Sequence, residues 1–538
     1  MTALLLSLAG SCYGGKVTFG DMAFNADAGR TVRDATADDA DTMCGGIADG
    51  TIQQDAGKVC SSATDCDDSD PCTVDDCLDG HCNNQPLACD DQDGCTRDMC
   101  DAEGQCRHEP ACDAEATCVD NHCQCNEGYL GDGFTCSETT CPDGRCSEDE
   151  DAATCPQDCD YDLVVVTQQD LATPLAQDLA QYQQDAQTQG KRVILQTWTS
   201  GDASQLKGIL WAWVDKYDLA GAWLVGDMPA AWYEQTAFNA HEEFPTDVFL
   251  ESRDATWIDQ DHDGRYDRHG ELHADTFVSR LIASSQAQYH AYFAKNHAYR
   301  TTGPLTRKAA FVFIDDDWVN WAGTYGLGNL YAAIDLLSDT SETTKTAYLD
   351  EMTNQGAEFV YQWIHSTPTT LYVRGTGGGT IPASTVSSSN LQGSFYNLYD
   401  CSASRFVTHC LAVTYLTETD YGLATVGTTK VGGMYSGTSF HVDLANGKTW
   451  GEAFQQWYEL HGRYDDEWFL GMVILGDPLL TIDKDPSVPS PPTQPIFPQS
   501  GTIQMSRLRR IMEQQARFQP IDTFDDYQAD HPEFFGHP

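Results

Sequence analysis

Short apolar runs alternate with amphipathic stretches over the carboxyl-terminal two-thirds of the chain. The runs are apolar at every position, which indicates strands covered on both faces, and the stretches between them have helical spacing. Strand, helix and strand in succession are typical of a parallel sheet in an α/β domain, predicted here over residues 160–484. The predicted strands are residues 163–167, 193–197, 221–225, 276–282, 309–314, 359–364 and 395–399, and the first two predicted helices are residues 172–189 and 206–216.

The segment before residue 160 has a different pattern, with little aliphatic content and many cysteines. Nineteen of the 22 cysteines lie between Cys44 and Cys159, and residues 60–160 hold 27 Asp and Glu against three Arg. Zinc clusters are one reading, but the neighbouring residues are carboxylates and small loop formers rather than histidines on helices. The pattern favours a small disulfide-rich region in an exported protein.

An acidic repeat fills residues 60–106. The pattern of residues 66–77 recurs at residues 89–100, a period of 23 residues, and a further cysteine closes each copy. A unit this small cannot bury a core, so cross-links must replace one. Its alternating Asp residues fit either calcium ligation or simple solvation of the segment.

Two further small units follow the repeats. The spacing Cys112-x5-Cys118-x4-Cys123-x-Cys125-x10-Cys136 resembles an EGF-like module over residues 107–137, for which Cys106 would have to serve as first cysteine. Residues 138–159 form another small cysteine-rich unit. Nineteen is an odd number, so one cysteine lacks an internal partner, and the pairing is not derivable from the sequence.

Residues 1–12 have features of an export signal. The sequence Leu8-Ala9-Gly10-Ser11-Cys12 resembles the lipobox of bacterial lipoproteins, in which the cysteine is lipidated, although Ala9 stands where that motif usually has Leu. The resemblance implies a membrane anchor at Cys12, residues 13–59 as a flexible linker, and an extracytoplasmic protein, either an outer-membrane or cell-surface lipoprotein or a secreted one. The alternative is an ordinary thiol after a shortened signal.

Net charge narrows the range of partners. The chain has 30 Lys and Arg against 82 Asp and Glu, a formal charge of −52. Phosphate binding requires clustered Lys and Arg, so nucleic acid is excluded as a partner and cations are favoured. No run of about 20 apolar residues is long enough to span a bilayer.

The loop at residues 259–267 carries the strongest metal signal. Asp259, Asp261 and Asp263 stand at positions 1, 3 and 5 of a calcium-type loop, and the Arg265 carbonyl could supply position 7. Asp267 follows in the same loop, and the glycine at 264 allows a sharp turn. Position 12 is a glycine, so the loop is not an EF-hand. We expect a structural calcium ion, and a merely solvated turn is the alternative.

Two reactive residues stand where predicted strands end. His365 and Ser366 follow the strand at 359–364, and Cys401 follows the strand at 395–399. Ligands of open α/β sheets bind beyond the carboxyl ends of the strands, and an imidazole beside a thiol generates the nucleophile for acyl transfer. The plainer readings are a capping histidine, an inert core cysteine, and a disulfide between Cys401 and Cys410.

Residues 160–482 resemble the gingipain-type cysteine peptidases, which have a caspase-like fold. The matching stretches are Leu224-Val225-Gly226-Asp227, the block at residues 244–249 with residues 275–281, and Ile474-Leu475-Gly476-Asp477-Pro478. The resemblance implies a peptide or protein substrate, His365 and Cys401 as catalytic pair, and an oxyanion hole of main-chain N–H groups at Ser366 and Cys401. The family usually has Gly where Ser366 stands, and a small residue where Asp400 stands.

The predicted function is therefore a secreted or surface-anchored cysteine endopeptidase. The alternative is a catalytically inactive, calcium-dependent surface adhesion protein with a peptidase-like fold. The acidic segment at residues 315–317 could line a pocket for Arg or Lys, or be a solvated loop or metal site. The tail at residues 485–538 holds a proline-rich linker and, at 506–518, a short basic amphipathic helix that either docks on the acidic body or stays disordered.

Overall fold

The computed structural model describes residues 59–126, 129–138, 146, 150–489, 505–517 and 523–535. It forms two compact units, one ending at Thr139 and the other beginning at Thr140. The predicted lipidation segment at residues 1–12 and nearly all of the predicted linker at 13–59 lie outside the described residues. No helix within the described part of the chain is both long and apolar enough to cross a membrane.

The first unit is a series of antiparallel two-stranded hairpins. In the first three hairpins a cysteine of one strand lies opposite a cysteine of the other, as Cys77 does with Cys82. A short 3₁₀ helix, Ala63–Asp65, precedes them. The strands are β1 (Thr73–Leu78), β2 (His81–Pro86), β3 (Thr96–Cys100), β4 (Cys106–Pro110), β5 (Ala116–Val119), β6 (His122–Cys125), β7 (Tyr129–Gly131) and β8 (Cys136–Glu138).

Disulfides take the place of a hydrophobic core in this unit. One set closes each hairpin on its own entry loop, and a second set joins each hairpin to the segment before it. The first set is Cys66–Cys82, Cys89–Cys106 and Cys112–Cys123, and the second is Cys60–Cys77, Cys72–Cys100 and Cys95–Cys118. The acidic repeat therefore continues into a third hairpin. Cys106, required as first cysteine of the EGF-like module, pairs with Cys89 of the repeat instead.

Further disulfides follow the three hairpins. Cys125 pairs with Cys136 in the first unit, and Cys146 pairs with Cys159 in the second. Cys155 is also disulfide-bonded. The described bonds confirm the predicted disulfide-rich region.

A ten-stranded sheet organises the second unit. Its strand order is β10-β9-β11-β16-β25-β24-β23-β19-β17-β18, and every neighbouring pair is parallel except β24 with β25. The strands of this unit are β9 (Leu163–Gln168), β10 (Val193–Trp198), β11 (Gly221–Val225), β12 (Ala231–Ala237), β13 (Ala240–Thr246), β14 (Trp257–Ile258), β15 (Arg268–His269), β16 (Phe277–Leu281), β17 (Ala310–Ile314), β18 (Ile334–Leu337), β19 (Ala357–Trp363), β20 (His365–Thr367), β21 (Thr370–Val373), β22 (Gly379–Pro382), β23 (Gly393–Tyr399), β24 (Ala424–Thr428) and β25 (Met472–Gly476).

Helices cover both faces of the sheet, as the uniformly apolar strands require. Helices α3, α6 and α9 share a core with Val360 and Ile364, whereas α10 and α11 share one with Phe359 and Trp363 on the other face of the same segment. The helices are α1 (Pro156–Cys159), α2 (Gln169–Ala172), α3 (Ala176–Thr188), α4 (Ala203–Tyr217), α5 (Val248–Glu251), α6 (Gln286–Thr302), α7 (Lys345–Asp350), α8 (Ala383–Ser388), α9 (Leu411–Thr417), α10 (Thr438–Ala445), α11 (Trp450–Leu460), α12 (Asp466–Phe469), α13 (Met505–Gln515) and α14 (Phe524–Asp530).

All seven predicted strands are present, which confirms the predicted α/β class. Three strands of the sheet have no counterpart among the predicted runs: β18 lies at the edge and is only partly buried, β24 contains Thr and Gly, and β25 overlaps the stretch at residues 474–478 that is singled out only by the family resemblance. Helix α4 starts three residues before its predicted bound because Asp202 caps it, accepting a hydrogen bond from the Gln205 N–H.

Two buried polar networks hold loops to the sheet. Arg280 on β16 donates Nη2 to Asp247 Oδ1 at 2.7 Å, and both side chains are almost fully buried. After β25, Asp477 accepts hydrogen bonds from Tyr182 of α3 and Asn296 of α6, at 2.8 Å each. Such pairs persist in a core only when their hydrogen bonds are satisfied, so these acidic residues are structural.

Candidate active site

Three neighbouring strands end at the same edge of the sheet and bring the candidate residues together. Strands β19 and β23 are parallel neighbours with Trp363 opposite Tyr399, so His365 and Cys401 both follow the same edge of the sheet two residues later. Strand β17 lies on the other side of β19 and runs into a 3₁₀ helix, Asp316–Trp321. The predicted meeting of His365 and Cys401 at one edge follows from this topology.

His365 lies between a carboxylate and an aromatic ring. Its Nε2 is 2.8 Å from Asp317 Oδ2, and its ring centre is 4.3 Å from that of Trp318. Burial lowers the pKa of His365 below its usual value, and the bond to His365 lowers the pKa of Asp317. With Nε2 donating to Asp317, Nδ1 is the basic nitrogen, and it has no hydrogen-bond partner among the described residues. The imidazole is therefore neutral and able to accept a proton through Nδ1.

Cys401 is a free thiol at the head of a sharp turn. The next residue, Ser402, has φ of +57°, a conformation that is rare for a residue with a Cβ. The Ser402 N–H donates to the Lys430 carbonyl at 2.7 Å, which holds the turn against the segment after β24. Strain of this kind is maintained where the surrounding structure fixes it, and it is common at functional sites.

The Cys401 sulfur is shielded from solvent in this structure. The residue is 3% exposed, and burial raises the pKa of its thiol to about 12. Its Sγ lies 4.0 Å from the Gly432 carbonyl oxygen and 3.7 Å from Met512 Sδ. In this surrounding the thiolate is strongly disfavoured at neutral pH.

A disulfide between Cys401 and Cys410 does not form. Both are free, and Cys410 caps the start of α9 in the core on the other face of the sheet from Cys401. This alternative reading is wrong because the sheet separates the two sulfurs.

Ser366 takes an extended conformation that any residue can adopt. It belongs to β20, which pairs with β21, and its φ is not in the left-handed region. Replacing the family's glycine by serine therefore introduces no backbone strain here. The Ser366 hydroxyl donates to the Cys401 carbonyl at 2.6 Å, which ties the two strand ends together.

Asp400 points away from the neighbouring sulfur. Its Oδ2 accepts from Gln362 Nε2 at 2.6 Å and its Oδ1 from the Ile364 N–H at 3.0 Å. Burial raises the pKa of Asp400 well above its usual value, which favours the neutral acid. Asp400 thus links β23 to β19, and both of its oxygens are directed to groups of β19 and the residue after it rather than to the Cys401 sulfur.

The acidic segment after β17 is engaged with protein groups. Asp315 accepts from the Arg374 N–H at 2.9 Å, and burial raises its pKa to about 7. Asp316 accepts from the Thr343 hydroxyl at 2.6 Å. The role of Asp317 as partner of His365 was missed in the sequence. The available signal was its place after a strand that neighbours the histidine's strand.

Helix α13, the amphipathic helix predicted at 506–518, docks over this site. Leu508, Met512 and Ala516 are buried in the core that contains Cys401. Gln515 Nε2 donates to the Ser366 carbonyl at 2.5 Å, and the Arg509 guanidinium bonds to Glu467 at 2.5 Å. Of the two open readings of this segment, docked or disordered, the docked one is observed.

The predicted calcium loop is braced by its own groups. Asp259 accepts hydrogen bonds from the N–H groups of His262, Asp263 and Gly264, at 2.6, 3.2 and 3.0 Å. Gly264 has φ of +93°, as the predicted sharp turn requires. Asp267 accepts from the Gln260 N–H at 2.5 Å.

The Arg265 side chain is paired with Asp263, one of the predicted calcium ligands. Its guanidinium bonds to Asp263, to Glu243 at 2.8 Å and to Asp525 at 3.1 Å, while Asp261 is exposed. A cation at this loop would compete with that guanidinium for Asp263, and calcium binding stays a prediction.

A comparison with known families matches the second unit. The model of peptidase family C25 matches residues 157–483, which include the strand ends that carry Asp317, His365 and Cys401. Helices α13 and α14 lie beyond the matched range. No curated protein matches the chain.

Proposed function

This chain belongs to peptidase family C25, a family of cysteine peptidases, and we propose that it is an endopeptidase that uses Cys401 as nucleophile and His365 as base. The observation that carries the proposal is the meeting of β17, β19 and β23 at one edge of the sheet. There a free cysteine, a histidine and an orienting carboxylate, Asp317, stand on three adjacent strand ends. These are the groups that nucleophilic catalysis uses. In this structure the Cys401 sulfur contacts the Gly432 carbonyl and Met512, and the proposed proton transfer requires His365 Nδ1 and that sulfur to approach each other.

The proposed reaction begins with the thiol proton of Cys401 moving to Nδ1 of His365. The sulfur attacks the scissile carbonyl carbon, and the carbonyl oxygen becomes an oxyanion that the main-chain N–H groups of Ser366 and Cys401 stabilise. The imidazolium then gives its proton to the leaving amine as the C–N bond breaks, which leaves a thioester. Water, deprotonated by His365, hydrolyses the thioester and restores the thiol.

Asp317 acts on the base and not on the substrate. Its bond to Nε2 fixes the ring orientation, keeps the proton off Nδ1 and stabilises the imidazolium that forms. Trp318 packs against the same ring and restricts its rotation.

We further propose that the protein works outside the cytoplasm. The described disulfides support this location, since such bonds persist in oxidising compartments. The lipid anchor at Cys12 and the calcium ion at residues 259–267 belong to the same proposal. Mass spectrometry of the purified amino terminus tests the anchor, and an unmodified Cys12 would refute it.

The alternative, an inactive adhesion protein, rests on the two departures from the family pattern. Ser366 is unstrained, and Asp400 is hydrogen-bonded away from the sulfur. The geometry of both residues therefore supports an enzyme rather than a degenerate relative.

A fluorogenic peptide library tests the proposal. It should be applied to the intact chain and to a chain cleaved at a protease site inserted after Pro489, because α13 covers Cys401. We expect hydrolysis in at least one form, lost in Cys401→Ala and in His365→Ala. Cys410→Ala is the matched control, since it removes an equally buried free thiol from the other face of the sheet. Hydrolysis that survives in Cys401→Ala, or no hydrolysis by either form of the unsubstituted chain, would refute the proposal.

A further inference from the structure

A segment outside the matched family range closes the proposed active site. Helix α13 places Met512 Sδ 3.7 Å from Cys401 Sγ, so a thioether occupies the space through which a scissile carbonyl would approach. Leu508, Ile511 and Ala516 lie on the same face of the helix and are buried with it. The helix meets the site through its apolar face, as its spacing requires.

Polar contacts fix the register of this helix. The Gln515 amide donates to the carbonyl of Ser366, the residue next to the proposed base, at 2.5 Å. At the other end of the helix, Arg507 lies over the ring of Trp321 at 5.5 Å, and Arg509 bonds to Glu467. The helix is thus held on both sides of Cys401.

A second contact anchors the chain after the helix. Phe524 and Tyr527 of α14 pack on Trp232, with ring centres 5.6 and 5.8 Å apart, and the Arg265 guanidinium lies over Phe524 at 4.9 Å. His531 bonds to Asp227 at 3.1 Å. An anchor away from the site keeps α13 at a high local concentration, so its few contacts with the site suffice to hold it there.

We propose that residues 505–517, anchored by residues 523–535, are a built-in inhibitor that keeps the peptidase latent by occupying the space above Cys401 and His365. This inference rests on the proposed function. The inhibitor acts by exclusion, because it keeps substrate from the sulfur, and by desolvation, because it keeps the thiol protonated. Burial of the sulfur, to which Met512 contributes, raises the pKa of Cys401 and disfavours the thiolate at neutral pH.

The test displaces the helix in the full-length chain and measures two quantities. Leu508→Asp with Met512→Asp puts two carboxylates into the buried face of α13, whereas Ser506→Asp with Gln514→Asp adds the same charge at exposed positions of the same helix. The first measurement is the rate of iodoacetamide labelling at Cys401, read by mass spectrometry with buried Cys410 as internal reference. The second is hydrolysis of the peptide library.

We expect Leu508→Asp with Met512→Asp to speed Cys401 labelling by at least about 10-fold, because the sulfur becomes accessible to water and reagent, and to raise hydrolysis in parallel. The exposed pair should match the unsubstituted chain. Circular dichroism and an unchanged Cys410 rate establish that the displaced variant is folded. Cleavage at the site inserted after Pro489 gives an independent route to the same two measurements.

The two readouts separate this proposal from the proposed function. Faster labelling of Cys401 without hydrolysis in any form would show that helix α13 covers the sulfur, and it would refute the proposed peptidase activity. Hydrolysis and labelling that are equally fast in the unsubstituted and displaced chains would refute latency and keep the peptidase. Slow labelling of Cys401 both in the folded Leu508→Asp, Met512→Asp variant and in the cleaved chain would also refute latency. That result would mean that helix α13 is not what shields the sulfur.

Discussion

Substituting Asp247 by Ala should destabilise the catalytic unit strongly. Asp247 accepts hydrogen bonds from Arg280 Nε, at 2.8 Å to Oδ2 and 3.1 Å to Oδ1, and from Nη2 at 2.7 Å to Oδ1, and both residues are fully buried. The guanidinium also donates to the carbonyls of Met228 and Pro229 at 3.1 Å each, and it lies over the Phe406 ring. These contacts position the guanidinium but do not neutralise it, so removing the carboxylate leaves an unpaired buried charge.

The size of the effect follows from that unpaired charge. Breaking one side of a buried pair costs about 3–5 kcal/mol. The part of this unit that matches the family model has about 330 residues. At about 2.1 cal/mol/K of unfolding entropy per residue, it loses one degree of midpoint for about 0.7 kcal/mol. The thermal midpoint should therefore fall by about 4–7 °C. Replacing both partners, with Asp247→Leu and Arg280→Met, should recover much of this loss because no charge remains in the core.

Differential scanning calorimetry and urea unfolding measure the change. The matched control is Asp335→Ala, whose partner Arg307 and whose own side chain are both more than a third exposed, and it should lower the midpoint by no more than about 1 °C. A shift of less than 1 °C for Asp247→Ala would refute the reasoning, since it would mean that the Arg280 charge is not held in the core.

The other predictions concern the site and the loop. In a chain with α13 displaced by Leu508→Asp and Met512→Asp, Asp317→Asn should lower kcat about 10-fold with KM little changed. The reason is the loss of a charge-assisted hydrogen bond between His365 and a part-exposed carboxylate. An unchanged kcat would show that Asp317 does not orient His365. Burial raises the pKa of Asp315 to about 7, so the folded state binds the carboxyl proton of Asp315 more tightly than the unfolded state does. The stability that this proton contributes is therefore present below about pH 4 and is lost as the pH rises to about 7. Asp315→Asn should therefore raise the thermal midpoint at pH 8 but not at pH 4, and an equal effect at both pH values would contradict the shift. Calcium at ten times its dissociation constant should raise the free energy of unfolding of the unsubstituted chain by about 1.4 kcal/mol, and that of Asp259→Asn by less. Identical thermal midpoints with and without calcium would refute the predicted calcium site.

The local sequence pattern was enough to predict the fold class and to place His365 and Cys401 at strand ends, and their catalytic role stays a proposal. The seven predicted apolar runs are strands of the sheet, since short continuous apolar runs are typical of buried strands. His365 and Cys401 follow the ends of two neighbouring strands, β19 and β23. Of the three strands outside the predicted runs, β18 is an edge strand, β24 contains Thr and Gly, and β25 is singled out only through the family resemblance. Their placement depends on neighbours more than on composition.

Contacts between distant parts of the chain could not be predicted in the same way. Asp317 and His365 are 48 residues apart, and Met512 and Cys401 are 111 residues apart. No periodicity links them. The amphipathic pattern of α13 showed that the helix needs an apolar partner, but only the folded sheet shows which surface provides it. Likewise, the cysteine spacing showed a disulfide framework without its pairing, which has many solutions for so many cysteines.

The order of the disulfides in the amino-terminal unit determines what happens when a peptidase cuts the chain there. The bonds Cys60–Cys77, Cys66–Cys82, Cys72–Cys100, Cys89–Cys106, Cys95–Cys118 and Cys112–Cys123 overlap end to end along the chain. Every peptide bond from Cys60 to Cys123 is therefore bridged by at least one sulfur pair. A single nick anywhere in this stretch leaves both fragments covalently attached, so the region can be cut without being severed.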